Sequence, residues 1–291
     1  MGRYTLSALK PYMIQAFYNQ LYQNPDEATM SPKTVKNVHG VLSKALNQAV
    51  RNELIRSNPA TLAILPRSKR KDIQTLSDEQ IQKFMMIVEQ DSYCSILKFI
   101  LLTGVRESEA IGLTWDCVDF ERGGIRIYRQ LLKRNQSEGG YIFAPLKNDK
   151  ERLLTPAPTL MGLLKARKSK QIQQRLAAGS AWVGWQSPEE QATALVFTNE
   201  FGQHYCPQTV YAHFKKIAKQ VGVAKANVHS LRHTYAVLSL QNGDDVKTVQ
   251  ENLGHATASF TLDVYGHVSE KMKQDSAARM ELYLQNLTTA K

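Results

Sequence analysis

Residues 228–233 of the chain read Val228-His229-Ser230-Leu231-Arg232-His233. At the start of a helix, His229 and Arg232 stand three residues apart and therefore share one face. An imidazole and a guanidinium side by side suit a common anionic ligand. The same pair also fits a simpler interpretation, in which the histidine caps the helix beside an exposed surface arginine. Functional residues elsewhere in the sequence are needed to choose between these two interpretations.

Two further polar segments follow glycines that end predicted helices. The apolar pattern from Ser95 to Leu102 predicts a helix, and Gly104 behind it directs Arg106 out of the core. Leu253-Gly254-His255 repeats this arrangement, and Tyr265 follows in the sequence Asp-Val-Tyr-Gly-His. Taken alone, a tyrosine in such a place is most often a half-buried core residue. The phenol of Tyr265 is a functional candidate only in combination with the other polar residues of these segments.

Between these helical segments the pattern changes to extended chain. Residues Ile125 to Leu131, Tyr141 to Leu146 and Arg152 to Thr155 predict strands of a small antiparallel sheet. The polar segment Lys147-Asn148-Asp149-Lys150 separates the second and third of them. Residues 168–194 have no clear period and are interpreted as a polar helix end followed by a loop.

A helix with a basic side is predicted near the start of the chain. Ser31 is a suitable N-cap and Pro32 a suitable first helical residue. Apolar residues then recur at helical spacing and form a stripe that packs against the helix around 14–21: Val35, Val38, Leu42, Ala45, Leu46 and Ala49. Lys33, Lys36, Lys44 and Arg51 lie largely off this stripe. They form either a solvated helix face or a surface that contacts phosphates.

A basic run separates two predicted domains. Residues 66–72 lack apolar periodicity and contain four cations, Arg67, Lys69, Arg70 and Lys71. A well-specified helix follows, in which Ser77 and Gln80 form a capping box. We therefore predict a helical domain over residues 1–65, a linker over 66–75 and a second domain over 76–291. The fold class is mainly α, with a small antiparallel sheet in the second, α+β domain.

Composition limits the class of protein. The 291 residues include 37 Lys and Arg against 26 Asp and Glu, a formal charge of +11 that attracts nucleic acid or anionic lipid. Neither a membrane-length apolar segment nor a signal peptide is visible, so nucleic acid is the favoured partner. Three widely spaced cysteines suit neither a disulfide framework nor a zinc site. A cytoplasmic location is expected.

Four motifs in fixed order resemble the tyrosine recombinase family, the phage-type integrases. They are Thr-Gly-Val-Arg-Glu-Ser-Glu around Arg106, Lys-Asn-Asp-Lys-Glu-Arg from Lys147, His-Ser-Leu-Arg-His-Thr from His229, and Leu-Gly-His followed by Tyr265. The resemblance extends from about Leu76 to Tyr265. Any one of these motifs alone is weak, but their independent coincidence in this order is very improbable.

The resemblance implies a set of catalytic roles. Tyr265 attacks a DNA phosphate and forms a 3′-phosphotyrosyl link that stores the diester energy, so neither ATP nor a metal is required. Arg106 and Arg232 meet the negative charge that develops on the phosphate oxygens. Lys147 protonates the leaving 5′ oxygen, His229 acts as a base toward the phenol, and His255 donates a hydrogen bond to a phosphate oxygen. Glu109 is expected to hold Arg106 or a helix end.

The resemblance also implies partners. These are double-stranded DNA with specific attachment sites and further copies of the chain, as a tetramer on DNA that is monomeric or weakly associated when free. Members usually carry more helices before this point, so residues 1–65 are expected to be a shortened DNA-clamping domain for the core site. An apolar stripe near the C-terminus, Ala277, Met280, Leu284 and Leu287, either packs within the chain or docks on a neighbouring protomer.

Three other functions remain open from sequence. A type IB topoisomerase uses a similar site to relax DNA without exchanging partner strands. A DNA-binding protein could keep this fold without cutting. A metal-dependent nuclease is disfavoured because no carboxylate cluster offers a two-metal site. No cofactor and no metal are predicted.

Overall fold

The computed structural model describes residues 4–23, 30–67, 74–134, 140–146, 150–254, 274, 276–278, 280–282 and 284–285. Their contacts divide the chain into two compact units, Met1–Asp72 and Ile73–Lys291. The first unit contains α1 (Pro11–Gln23) and α2 (Pro32–Arg51). The second begins with α3 (Asp78–Gln90), α4 (Ser95–Thr103) and α5 (Glu107–Ile111), and continues after a strand region with α6 (Pro158–Ala178), α7 (Pro188–Thr193), α8 (Pro207–Gln220), α9 (Val228–Gln241) and α10 (Val246–Leu253).

The first unit is built around the predicted apolar stripe of α2, except that Ala45, which was predicted to belong to the stripe, is exposed. The Ser31 side chain accepts a hydrogen bond from the Thr34 amide, and Pro32 is the first helical residue, as predicted. Val35 and Leu46 are buried together with Ile14 and Tyr18 of α1. The opposite side of α2 faces solvent and has no acidic residue. The helix therefore separates an apolar side from a basic one.

The second unit has its core around α4. Five of its nine residues are apolar and almost fully buried, namely Ile96, Leu97, Phe99, Ile100 and Leu101. The helix ends at Gly104, whose φ of 66° is readily adopted only by glycine. A Cβ at Gly104 would also lie 2.7 Å from Cδ2 of Leu253 and overlap the ring of Tyr235. This close approach brings α4, α9 and the end of α10 together.

The strand region forms two separate antiparallel sheets in the described residues. The strands are β1 (Val118–Asp119), β2 (Gly124–Ile127), β3 (Arg129–Lys133), β4 (Tyr141–Pro145) and β5 (Arg152–Leu154). Three of them form a sheet in the order β1-β2-β5, and β3 pairs with β4 in a second, two-stranded sheet. The α+β class with small antiparallel sheets is thus confirmed.

Two local predictions were wrong. The strand predicted from Ile125 to Leu131 is interrupted at Tyr128, because its first half pairs with β5 and its second half with β4. The strand with which each half pairs depends on the tertiary fold. Because this pairing leaves the alternation of inward and outward side chains unchanged, the sequence pattern does not show the interruption. The loop predicted up to residue 194 contains α7, which Ser187 caps and Pro188 begins. Six residues are too few to reveal a helical period.

None of the helices in the described part of the chain is both long and apolar enough to cross a membrane. Helical residues recur at 274, 276–278, 280–282 and 284–285. Met280 and Leu284 are 60% and 49% exposed among the described residues. Leu287 lies outside the described residues.

Candidate active site

Arg106 stands at the start of α5, two residues after the glycine that ends α4. The carboxylate of Glu109, at the third position of α5, accepts from both the backbone and the side chain of Arg106. The Arg106 amide donates to Oε2 at 2.9 Å, and Nη1 donates to Oε1 at 2.7 Å. The expectation that Glu109 holds Arg106 is confirmed. The guanidinium of Arg106 remains partly exposed beside this pair.

His229 and Arg232 lie in the first turns of α9, whose N-cap is Asn227. The side chain of Arg232 is buried, at 1% exposure, which excludes the interpretation as a surface arginine. It donates to the carbonyl oxygen of Gly104 at 2.7 Å and to that of Leu253 at 2.6 Å. Arg232 therefore joins the end of α4 to the end of α10.

The C-terminal end of α10 is held by three arginines, one on each of three successive carbonyl groups. Arg152 Nε donates to the carbonyl oxygen of Asn252 at 2.8 Å, Arg232 to that of Leu253, and Arg106 Nη2 to that of Gly254 at 3.2 Å. The last carbonyls of a helix have no intrahelical partner and carry partial negative charge. Guanidinium groups from three distant segments supply the missing donors, and this fixes the backbone just before His255.

Glu109 is the negative centre of this arrangement. Besides Arg106, it accepts from Arg152 Nη2 at 2.5 Å and from Arg152 Nη1 at 3.3 Å. Burial alone would raise the pKa of Glu109, but Arg152 and Arg106 outweigh burial and hold that pKa below its ordinary value. Its carboxylate is thus ionised and occupied by N–H donors. Three guanidiniums against one carboxylate leave excess positive charge, which suits an anionic ligand.

The histidines of α9 are kept neutral. Burial lowers the pKa of His229, and the charges of Arg232 and Arg106 lower it further. Burial, His229 and Arg232 lower the pKa of His233 to about 4. The two rings meet edge to face with their centroids 4.6 Å apart. At neutral pH His229 is therefore an uncharged imidazole beside two guanidinium groups, in a form that can accept a proton.

Several predicted site residues cannot be placed. Lys147, His255 and Tyr265 lie outside the described residues, as do Lys69, Arg70 and Lys71 of the basic run. The described chain stops at Leu146 and resumes at Lys150 on either side of Lys147, and it reaches Gly254 immediately before His255. Arg67 is exposed, and Lys33, Lys36 and Lys44 are exposed on α2, all in the first unit.

Arg152 is the site residue that the sequence analysis missed. Leu154 on β5 is buried and Leu153 is exposed, so Arg152 occupies an inward-facing position of the strand. An arginine at an inward position is unusual because a buried charge is costly unless it is paired. A charged residue at an inward-facing position of β5, where an apolar one is expected, was the sequence signal that could have identified Arg152 as a site residue.

One group of potential metal ligands occurs among the described residues, namely Asp91, Cys94 and His213. Asp91 Oδ2 accepts from the Cys94 thiol at 3.5 Å and lies 3.4 Å from His213 Nδ1. Burial and the charge of Asp91 raise the pKa of Cys94 to about 12. Without a metal the thiol is therefore protonated at neutral pH and acts as a hydrogen-bond donor to Asp91.

The comparisons with known proteins agree with the motifs. Residues 74–272 match the family described as "Phage integrase family". A "Tyrosine recombinase XerC-like" protein of Caldanaerobacter subterraneus subsp. tengcongensis is 29% identical over 284 residues, 93% of this chain and 70% of the relative. The "ICEBs1 integrase" of Bacillus subtilis is 22% identical over 88% of this chain and 67% of its own length.

Solved structures show the same fold. The Tn1549 transposon integrase in complex with transposon right end DNA superposes with a TM-score of 0.75 at 19% identity, and covers 96% of this chain and 87% of its own. The XerH recombinase bound to its palindromic difH substrate gives a TM-score of 0.66 at 22% identity, over 95% of this chain and 74% of its own. At these identities the likeness concerns the fold alone.

Proposed function

Because the chain belongs to the phage integrase family of tyrosine-type site-specific DNA recombinases, we propose that it exchanges DNA strands at specific attachment sites of a mobile element, by way of a 3′-phosphotyrosyl intermediate. The observation that carries the proposal is the meeting of Arg106 and Arg232 at the end of α10, with neutral His229 near enough for both guanidinium groups to lower its pKa. These residues come from motifs far apart in the sequence. Together they form a positive site beside the segment that leads to His255.

The proposed roles follow from the chemistry of a phosphodiester. Negative charge develops on the non-bridging oxygens, and Arg106 and Arg232 stabilise it because a guanidinium presents paired N–H donors. Tyr265 attacks phosphorus, and the covalent link conserves the energy of the diester without ATP. The neutral imidazole of His229 accepts the phenol proton, Lys147 gives a proton to the 5′ oxygen, and His255 donates to a phosphate oxygen.

The solvent side of α2 is the proposed DNA-reading surface of the first unit. Lys33, Lys36 and Lys44 lie along it and can contact phosphates, and the helix has no acidic residue to repel them. Val41 stands among these lysines and is 74% exposed. Gly40 lies beside it, and a Cβ there would meet nothing within 4 Å. A small apolar surface among cations suits contact with base edges, such as a thymine methyl.

The exposed C-terminal residues Met280 and Leu284 support the further proposal of assembly on DNA. A partly exposed apolar helix side is suited to bind a neighbouring protomer. Docking of this helix would couple the active sites of a DNA-bound tetramer. Loss of residues 269–291 should then abolish assembly on DNA while leaving binding of one protomer intact, as measured by gel shift.

The test begins with selection of DNA sites from a random duplex library by the Tyr265→Phe protein, which binds but cannot form the covalent link. Selected duplexes and a supercoiled plasmid that carries two of them are then incubated with the wild type in EDTA. We expect SDS-stable adducts with the wild type alone, and a 5′ label on the cleaved strand should remain with the protein. A 3′ label that remains with the protein instead would contradict the proposed linkage.

The same reactions separate the competing functions. Exchange between the two plasmid sites supports recombination, whereas relaxation without exchange identifies a topoisomerase. Binding without any adduct identifies a silent DNA-binding protein. Cleavage that requires a divalent metal and is blocked by EDTA refutes the tyrosine mechanism.

A further inference from the structure

The side chain of Arg152 contacts two separate segments of the candidate active site. Its side chain is 8% exposed, and it begins the short strand β5. One edge of its guanidinium faces the carboxylate of Glu109, with Nη2 at 2.5 Å from Oε2 and Nη1 at 3.3 Å from Oε1. Its Nε donates to the carbonyl oxygen of Asn252 at 2.8 Å. A single side chain thus binds two different segments.

Strand β5 and the two segments that Arg152 binds are each connected to a proposed catalytic residue, either along the sequence or by a hydrogen bond. Its own strand follows the segment that contains Lys147, Glu109 is bonded to Arg106, and Asn252 lies shortly before His255 in the sequence. The contact with the last segment is close, because a Cβ on Gly254 would lie 2.9 Å from Arg152 Nη1. A shift of Arg152 would therefore displace more than one of these segments.

We propose that Arg152 is a positioning residue of the cleavage reaction, which fixes strand β5 and the end of α10 relative to Arg106. This inference rests on the proposed function. Arg152 does not act on the phosphate; it acts through Glu109 and through the backbone of α10. Reacting groups must be aligned closely, and a displacement of about 1 Å can reduce a rate by about a hundredfold.

Arg152 also shares the charge of Glu109. With Arg152 present, the buried carboxylate is divided between two guanidinium groups. Without Arg152, Arg106 is the only ion-pair partner of Glu109 among the residues that the structure describes. More of the positive charge that Arg106 offers to a phosphate is then cancelled. A lysine in place of Arg152 restores one charge, but its single ammonium group lacks the planar fork that binds Glu109 and Asn252 together.

The variants for the test are Arg152→Met, Arg152→Lys and a matched control, Arg126→Met. Arg126 lies on the neighbouring strand β2 and pairs with Glu151 at 2.6 Å, but both partners are more than half exposed. Removal of this exposed pair should have little effect. The control therefore reports the loss of an arginine from the same sheet without loss of the contacts to Glu109 and Asn252.

Hydrogen–deuterium exchange of the free protein tests the clamp without any cleavage. In Arg152→Met we expect faster exchange in peptides covering 105–113 and 246–254, with α6 unchanged and Arg126→Met equal to the wild type. Arg152→Lys should restore the melting temperature more fully than it restores this protection. Exchange in Arg152→Met that equals that of Arg126→Met, or that rises uniformly across the chain, overturns the proposal.

Single-turnover formation of the covalent complex on a selected site tests the catalytic consequence. Arg152→Met should cleave about a hundredfold more slowly than the wild type, while its Kd for the site stays equal to that of Arg126→Met. Wild-type rates in Arg152→Met or Arg152→Lys overturn the proposal, and so does a loss confined to Kd. A wild type that forms no adduct refutes the proposed function instead, and the exchange measurement still decides whether Arg152 holds these segments.

Discussion

Arg232 on α9 donates a hydrogen bond to the carbonyl oxygen of Gly104, 128 residues earlier in the chain, at 2.7 Å. The contact ties the helix that carries His229 to the turn that presents Arg106. Since Gly104 also packs against Tyr235 and Leu253, a larger residue there would separate the same elements. Arg232 is therefore both part of the proposed phosphate site and part of the structure that assembles it.

Arg106→Ala and Arg232→Ala are predicted to differ in stability although both impair cleavage. Loss of one preorganised donor costs roughly 3 to 4 kcal/mol in comparable sites, so each should cleave about a hundred- to a thousandfold more slowly. Arg232→Ala should lower the free energy of unfolding more than Arg106→Ala, because Arg232 is the more deeply buried of the two and each carbonyl left unsatisfied in the interior costs about 1 to 3 kcal/mol. Denaturant unfolding and single-turnover cleavage measure the two effects. Near-full cleavage by either variant would refute its assignment.

Lys147→Ala is predicted to regain activity on a modified substrate. If Lys147 protonates the leaving oxygen, its loss should slow cleavage about a hundred- to ten-thousandfold. In a substrate with sulfur in place of the bridging 5′ oxygen, the DNA strand leaves as a thiolate. A thiol is far more acidic than an alcohol, as the cysteine pKa of about 8.5 illustrates, so this leaving group needs no proton donor. Lys147→Ala and the wild type should then cleave that substrate at similar rates. A defect of equal size on both substrates would exclude Lys147 as the general acid.

Stability is predicted to fall in mildly acidic solution because of His233. Its pKa is lowered to about 4 in the folded protein against an ordinary value of 6.5, so the unfolded chain takes up the proton first. The contribution of His233 is thus fully present above pH 6.5 and is lost as the pH falls toward 4. The lowered pKa of His229 acts in the same direction.

Thermal melting between pH 7 and pH 4 checks this prediction. His233→Gln cannot be protonated in this range, so its melting temperature should fall less over the same interval than that of the wild type. An equal fall in both proteins would mean that His233 is not responsible. His204→Gln is a suitable control, since His204 is a partly buried histidine of the same unit.

Gly40→Ala is predicted to stabilise the protein and to weaken its binding to DNA. Alanine at a helical glycine position gains about 0.8 to 1 kcal/mol, and a Cβ at Gly40 would meet nothing within 4 Å. If α2 approaches DNA closely, the added methyl group should reduce affinity for the selected site. Gly162→Ala on α6 is the matched control, because a Cβ there also meets nothing within 4 Å. Equal DNA affinity in both variants would remove Gly40 from the proposed contact surface.

Local sequence patterns determined the ends of the helices that present the site. Ser77 and Gln80 form the predicted capping box, and Gly104 and Gly254 end α4 and α10 in left-handed conformations. These signals lie within a few residues of the features they specify, so they can be read without the fold. The four motifs in their fixed order, among them the one around His229 and Arg232, also indicated the family.

The tertiary structure alone decided how these pieces meet. The interruption at Tyr128 depends on which strand pairs with each half of the segment, and the site depends on contacts such as that between Arg106 and Gly254, 148 residues apart. Arg152 could be recognised as a site residue only when Glu109 and Asn252 were placed on either side of it. Helix ends follow from local hydrogen bonds and backbone sterics, whereas burial of an arginine among distant carbonyls requires the folded chain to supply its partners.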